Sequence, residues 1–222
     1  MKFSLHEAQR YVDFHTRIDQ INLVGTKRID MCSEREILVH AILMFMNQGF
    51  SEEFLDTFYG YLQIEELGDD VYSFSCNNKT VEFKDIRNLN KKFGVVFEPH
   101  KCHLNCLFAT VLINEECLVK TAEIDASDFS KQQIPGILHS FVDCGENVLD
   151  FTFNLSMRAK DYYEIFNVKV LATNKASDLK ADYLDGTVLR IVNNHEQMNL
   201  ATYLLAREEC IEYFGEQKNK TH

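Results

Sequence analysis

Three residue types that together perform nucleophilic catalysis follow one another along the second half of the chain. Cys102 stands where an apolar helical segment begins, and His139 and Asp150 lie in two successive apolar stretches further on. A thiol at a helix start is favoured as a thiolate, because backbone N–H groups and the helix dipole point towards it. A histidine can take the thiol proton, and an aspartate can orient the histidine. The order therefore predicts a nucleophilic site made of Cys102, His139 and Asp150.

The spacing of His139 and Asp150 places them on neighbouring strands of a predicted β-hairpin. A two-residue turn at Cys144-Gly145 pairs His139 directly opposite Asp150, with their Cβ atoms roughly 5 Å apart. A four-residue loop shifts the pairing by two and keeps both side chains on one face, whereas a three-residue loop separates them. Apolar residues flank Asp150, and a buried aspartate needs a partner. We therefore expect a contact between His139 and Asp150.

The stretch around Cys102 offers alternatives. Cys106 lies one helical turn further along the same face and is the other candidate nucleophile. His103 is adjacent to Cys102 but about 100° round the helix, so we expect it to be peripheral. Asn105 is either a polar neighbour of the site or a structural residue.

A metal site is a further alternative for this stretch. His100, Cys102, His103 and Cys106 are soft or borderline ligands, and Cys144 could join them. Zinc sites usually draw two pairs of ligands from separate loops, and the second pair is missing here. We therefore expect no metal and no other cofactor.

Composition limits the classes of partner and compartment. The chain has 222 residues, 45% of them hydrophobic, and a formal net charge of −11. Nucleic acids and anionic membranes attract clustered positive charge, so neither is expected as a partner. The N-terminus has no apolar segment of signal-peptide length, and no run approaches a membrane span. We expect a cytoplasmic protein, and because no secretion signal accompanies the seven cysteines, we expect reduced thiols.

The elements that must position the three residues form an α+β pattern, with helices first and consecutive antiparallel strands after them. Capping boxes at Ser4-x-x-Glu7 and Ser33-x-x-Glu36 predict two early helices. We expect a mostly helical N-terminal lobe over 1–93, either integral or separate, a catalytic domain over 94–216 and a flexible tail over 217–222. Within the catalytic domain the patterns predict helices at 102–116 and 195–214, and strands at 94–97, 118–124, 137–143, 147–153, 165–172 and 188–192.

Over roughly residues 99–155 the motifs resemble the transglutaminase-like branch of the papain-like cysteine enzymes. In that branch a nucleophilic cysteine opens a helix and a small residue follows four positions later. The histidine lies in a His-x-aromatic motif, and the aspartate in an apolar-x-Asp-x-Thr motif. The matching residues here are Cys102 with Cys106, His139-Ser140-Phe141, and Val148-Leu149-Asp150-Phe151-Thr152. The resemblance implies a papain-like fold, in which the nucleophile helix packs on an antiparallel sheet, and a Cys102-His139-Asp150 triad.

The chain departs from the pattern of this branch at three places. Phe151 stands where proline is usual, Phe141 stands where tryptophan is usual, and no upstream oxyanion-hole glutamine is evident. The backbone N–H of Cys102 and a neighbouring donor would then have to stabilise the oxyanion.

The resemblance implies a cysteine-dependent hydrolase or acyltransferase that acts on a peptide, protein or amide substrate. Peptidase, deamidase and transglutaminase-like activities all remain open. The alternatives are a non-catalytic protein-interaction module on the same fold with a decayed site, and a metal-binding regulatory protein.

Overall fold

The computed structural model describes residues 2–19, 28–92, 94, 97, 101–125, 136–193 and 200–220. Within these ranges the protein combines α-helices with an eight-stranded antiparallel sheet, which confirms the α+β class. The helices are α1 (Leu5–Asp19), α2 (Glu34–Gln48), α3 (Glu52–Phe58), α4 (Arg87–Lys92), α5 (Cys102–Ala109), α6 (Ala159–Ile165), α7 (Ala176–Leu184), α8 (Thr187–Asn193), α9 (Leu200–Leu205) and α10 (Arg207–Lys220).

The sheet has the strand order β1-β2-β3-β7-β6-β5-β4-β8. Strands on both sides of residue 93 therefore belong to one sheet, so hydrogen-bonded structure continues across the expected domain boundary. The strands are β1 (Gln63–Gly68), β2 (Val71–Cys76), β3 (Lys79–Asp85), β4 (Leu118–Ile124), β5 (Ile137–Asp143), β6 (Asn147–Asp150), β7 (Leu155–Arg158) and β8 (Lys169–Lys175).

Side-chain caps begin the early helices as the sequence predicts. The Ser33 hydroxyl accepts from the N–H of Glu36, and the Glu36 carboxylate accepts from the N–H of Ser33 at 2.7 Å. Ser4 and Glu7 make the same reciprocal pair at the start of α1. These bonds satisfy N–H groups that the first turn of a helix leaves free. Gly49 ends α2 with a φ of 66°, a conformation that glycine adopts without steric cost.

Two hydrophobic clusters cover the sheet. Neighbouring residues of β5 are divided between them, since Val142 belongs to one cluster and Phe141 to the other. Because successive side chains of a strand point to opposite faces, the clusters lie on opposite sides of the sheet. One contains residues of α1, α5 and α7 to α10, and the other contains residues of α2, α3 and α6.

Several element boundaries differ from the predictions. The helix expected over 102–116 ends at Ala109, and the strand expected over 147–153 ends at Asp150. The strand expected over 165–172 begins only at Lys169, because α6 runs to Ile165. α10 continues to Lys220, so helix includes most of the segment 217–222 that was expected to be a flexible tail. The start of the last helix expected at 195 and the two middle residues of the strand expected at 94–97 lie outside the described residues.

The strand predicted over 188–192 is wrong, because this segment is the helix α8. Its branched apolar residues resemble a strand, but burial follows a helical period. Val188 and Ile191, three positions apart, are buried, whereas Leu189 between them is 54% exposed. One face of a helix therefore packs into the core, and tertiary contacts override the strand propensity of the residues.

A disulfide bond joins Cys117, just before β4, to Cys144 in the turn between β5 and β6. Their Cα atoms lie 4.4 Å apart, within the range that a disulfide spans. The expectation of reduced thiols is therefore wrong for this pair, which sequence spacing alone does not identify. The remaining cysteines form no disulfide; they are Cys32, Cys76, Cys102, Cys106 and Cys210. Disulfides are more typical of oxidising compartments than of the expected cytoplasm.

The helices of the described ranges give no sign of a membrane span, because none is both long enough and apolar enough to cross a bilayer.

Candidate active site

Cys102 is the first residue of α5, as the sequence predicts. Its residue surface is 8% exposed, and its Sγ lies 4.0 Å from the backbone oxygen of Leu138 in β5. The thiol therefore lies between the start of a helix and the edge of a strand, where free helical N–H groups favour a negative charge.

The β5–β6 hairpin brings His139 and Asp150 together, although its turn is longer than two residues. Asp143 pairs with Val148, and Val142 pairs with Leu149, so four residues connect the paired positions. This is the register that shifts the pairing by two and keeps His139 and Asp150 on one face. His139 Nε2 lies 2.7 Å from Asp150 Oδ2, within hydrogen-bonding distance.

The Asp150 carboxylate is fully buried and accepts hydrogen bonds on both oxygens. Oδ1 accepts from the backbone N–H groups of Thr152 at 3.0 Å and Phe153 at 2.9 Å. Oδ2 accepts from the hydroxyl of Tyr162 at 2.7 Å in addition to its contact with His139. A buried charge needs such partners, and together they fix the carboxylate against the imidazole.

The surroundings shift the pKa values of Cys102 and His139 in opposite directions. Burial raises the pKa of the Cys102 thiol, but the charges and hydrogen bonds of His103 and His139 outweigh burial and hold that pKa well below its ordinary value. Burial lowers the pKa of His139, but the charge of Asp150, followed by that of Cys102, raises it from 6.5 to about 10. A thiolate beside an imidazolium is therefore favoured at neutral pH.

Cys106, the alternative nucleophile, lies in an environment that disfavours the thiolate. It is buried, and burial together with the negative charges of Asp150 and Cys102 raises the pKa of its thiol well above the ordinary value. A thiol that stays protonated is a poor nucleophile. The local electrostatics therefore favour Cys102.

His103 lies closer to the site than its position on the helix predicts. Its Nδ1 lies 2.8 Å from the Ser140 hydroxyl, which lies 2.9 Å from the Thr121 hydroxyl. The same histidine acts on the Cys102 thiol through its charge and a hydrogen bond. The angle of about 100° between neighbouring helical residues predicted a peripheral His103. Because Cys102 is the first residue of α5 and lies beside the edge of β5, both side chains can reach that edge.

Sequence reasoning did not find Tyr162 and Phe153 as parts of the site. Phe153 stacks on the His139 ring, with centroids 4.7 Å apart and planes 9° from parallel. Tyr162 lies on α6, and no local motif links that helix to Asp150. The apolar flank of Asp150 was the only available signal, since a buried carboxylate requires further donors.

Asn105 links the nucleophile helix to the turn that holds Asp150. Its side-chain amide donates to the Thr152 hydroxyl at 2.9 Å, and Thr152 donates its own N–H to Asp150. Asn105 is buried. Of the two roles considered for it, a polar neighbour of the site or a structural residue, this contact agrees with the structural one.

The part of the chain that the structure describes contains no ligand cluster for the alternative metal site. No group of three or more His, Cys, Asp or Glu side chains there could hold a metal ion. Cys144, one proposed ligand, is bonded to Cys117. His100, another, lies outside the described residues.

Comparisons of the chain with protein-family models, curated proteins and solved structures gave no match.

Proposed function

We propose that this protein is a cysteine-dependent hydrolase or acyltransferase with a papain-like, transglutaminase-like arrangement, acting on a peptide, protein or amide substrate. The observation that carries the proposal is the buried pair of His139 and Asp150 beside a thiol at the start of α5. Nucleophile, base and orienting acid are the three groups that acyl transfer through cysteine requires.

The proposed reaction proceeds through a thioester. The Cys102 thiolate forms a bond to the carbonyl carbon, and the carbonyl electrons move to oxygen. As the tetrahedral intermediate collapses, the bond to the leaving group breaks and the leaving group takes the proton of the His139 imidazolium. Water or an amine then attacks the thioester, losing its proton to His139, and the thiolate leaves. Water as acceptor gives hydrolysis and an amine gives acyl transfer.

The roles of the two ring nitrogens follow from the contact with Asp150. Nε2 of His139 faces the carboxylate, which leaves Nδ1 for the proton exchanged with thiol and leaving group. Stacking of Phe153 restricts rotation of the ring. Asp150, which touches no substrate atom in this scheme, positions the imidazole and stabilises its positive charge.

Acylation by p-nitrophenyl acetate tests the proposal without knowledge of the natural substrate. The whole protein is expected to release a burst of p-nitrophenol and to carry one acetyl group on Cys102, located by mass spectrometry of a digest. Cys102→Ser should abolish the burst. His139→Gln, whose amide can still donate to Asp150, should reduce the acylation rate by about 10²-fold or more, because the base is lost.

His6→Ala is the matched control, since His6 lies exposed on α1, and it should acylate at the wild-type rate. Acetylation spread over several cysteines, or an unchanged rate in His139→Gln, would contradict the proposal.

A further inference from the structure

Among the residues that the structure describes, no strand covers the edge of β5 beside Cys102. β4 pairs with β5 over Ile137–Asp143, but on the other side β6 pairs only with Val142 and Asp143. The start of α5 occupies this free edge, where Cys102 Sγ faces the oxygen of Leu138. A histidine reaches the site from each face of β5, because His139 is a residue of the strand and His103 contacts the adjacent Ser140.

A chain of hydroxyl groups holds His103 in one orientation. Thr121 and Ser140 are paired across β4 and β5, both are fully buried, and their hydroxyls lie 2.9 Å apart. When Thr121 donates to Ser140, the Ser140 hydroxyl donates to Nδ1 of a neutral His103. The ring proton is then on Nε2, and it is on Nε2 in the imidazolium as well. With Thr121 donating to Ser140, His103 presents an N–H donor from Nε2 in both protonation states.

The proposed acyl transfer needs a donor that neither His139 nor Asp150 supplies. Negative charge develops on the carbonyl oxygen while the sulfur–carbon bond forms, and a fixed donor is worth most at that point. His139 uses Nε2 for Asp150 and Nδ1 for the proton of the thiol and leaving group. The backbone N–H of Cys102, at the first position of α5, provides one donor to the oxygen. A second donor is required for the two-donor arrangement usual in such sites.

We propose that His103 is a second catalytic histidine, whose N–H binds the carbonyl oxygen of the substrate and stabilises the oxyanion of the tetrahedral intermediate. This role rests on the proposed function and adds an oxyanion-hole residue to it. His103 forms no covalent bond to the substrate, and it keeps its Nε2 proton while it donates a hydrogen bond to the oxygen. Ser140, which touches the ring and not the substrate, is a positioning residue.

Two reactions of the same thiol separate this role from a general effect on the thiolate. Alkylation by iodoacetamide displaces iodide at a saturated carbon and creates no oxyanion, whereas acylation by p-nitrophenyl acetate passes through a tetrahedral oxyanion. Both rates are measured against pH on the full-length protein and compared at their high-pH plateaus, where Cys102 is fully ionised. This comparison removes any effect of His103 on the fraction of thiolate.

His103→Ala is expected to lower the plateau acylation rate roughly 10- to 100-fold, because one oxyanion donor is lost. The plateau alkylation rate should change by less than about threefold, since that reaction requires no such donor. His103→Gln, which restores an N–H donor without restoring an imidazole, should recover a substantial part of the acylation rate. His6→Ala should leave both rates unchanged.

The outcomes distinguish failure of this inference from failure of the proposed function. Suppose that wild-type Cys102 is acylated and that His103→Ala either lowers both plateau rates in parallel or changes neither. His103 is then not an oxyanion donor, and the proposed function stands. Absence of rescue by His103→Gln while His103→Ala is impaired would likewise overturn the donor role. If wild-type Cys102 is not acylated at all, the proposed function itself fails.

Discussion

At the scale of single residues, the environment decides which of two neighbouring thiols is favoured as a thiolate. Cys102 and Cys106 lie one turn apart on α5, and burial raises the pKa of both thiols. The charges and hydrogen bonds of two histidines outweigh burial at Cys102, whereas the charges near Cys106 raise its pKa further. A difference in position of one helical turn thus separates a thiol whose pKa is lowered from one whose pKa is raised.

Asp150 depends on Tyr162 for one of its hydrogen bonds. Because the carboxylate and the hydroxyl are both fully buried, Tyr162→Phe should lower the free energy of unfolding by about 1.5–3 kcal/mol, the range for a hydrogen bond to a charged group. Urea denaturation at pH 7 measures the change.

Tyr163→Phe is the matched control for this prediction. The Tyr163 hydroxyl donates to Asp143 at 2.9 Å in a partly exposed position, so its loss should cost less than about 1 kcal/mol. Equal effects of the two substitutions would contradict the claim that the bond to Asp150 is the more stabilising one.

Sequence reasoning succeeds at the residue scale where the contact is local and fails where it is distant. His139 and Asp150 are eleven positions apart in one hairpin, so register alone predicts their shared face. Tyr162 reaches Asp150 from a separate helix, and nothing in its neighbourhood indicates this contact. His103 was misjudged because helical angles describe the middle of a helix better than its first turn.

At the scale of elements, the hairpin of β5 and β6 positions both His139 and Asp150. β6 is four residues long and ends at Asp150. The turn that follows donates two backbone N–H groups to the Asp150 carboxylate. The short strand also leaves the edge of β5 free for the start of α5. The predicted strand over 147–153 misses this, because apolar alternation continues through Phe151 and Phe153 after the pairing has stopped.

The disulfide of Cys117 and Cys144 ties the turn of this hairpin to the start of β4. The two residues are 27 positions apart, and closing a loop of that length in the unfolded chain is worth about 3.5 kcal/mol in the loop-entropy account. Replacing both cysteines by serine should lower the free energy of unfolding by about that amount in urea without reductant.

Two observations check the disulfide prediction. A reductant should destabilise the wild-type protein and leave the double-serine variant unchanged. Five of the seven cysteines should react with a thiol reagent in the denatured, unreduced protein, since the other two are paired. Seven reactive thiols would show that the bond is absent.

At the scale of the whole molecule, one sheet carries both the helical front part and the site. β1, β2 and β3 join the later strands through β7, although the sequence shows a change in pattern near residue 93. The helix caps and the hairpin of β5 and β6 could be predicted, because their signals are local. The pairing of β3 with β7 could not, since the paired residues lie about seventy positions apart, from Asp85↔Leu155 to Phe83↔Met157.

The pairing of charges inside the site links pH to the stability of the whole fold. The pKa of His139 is raised above its ordinary 6.5, so the stabilisation by its charged form is fully present below that value and is lost as pH rises through about 10. The pKa of Asp150 is lowered: burial raises it, but the charge of His139 and the hydrogen bonds outweigh burial. Its contribution is present above the ordinary 3.8 and is lost as pH falls through the folded-state pKa.

An NMR titration of the His139 imidazole, combined with the ultraviolet absorbance of the Cys102 thiolate, tests the ion pair most directly. Signals are assigned by their absence in His139→Gln and Cys102→Ser. We expect His139 to lose its proton near pH 10 and Cys102 to be a thiolate already at pH 7. A His139 midpoint near its ordinary 6.5, together with a neutral Cys102 thiol at pH 7, would contradict this expectation.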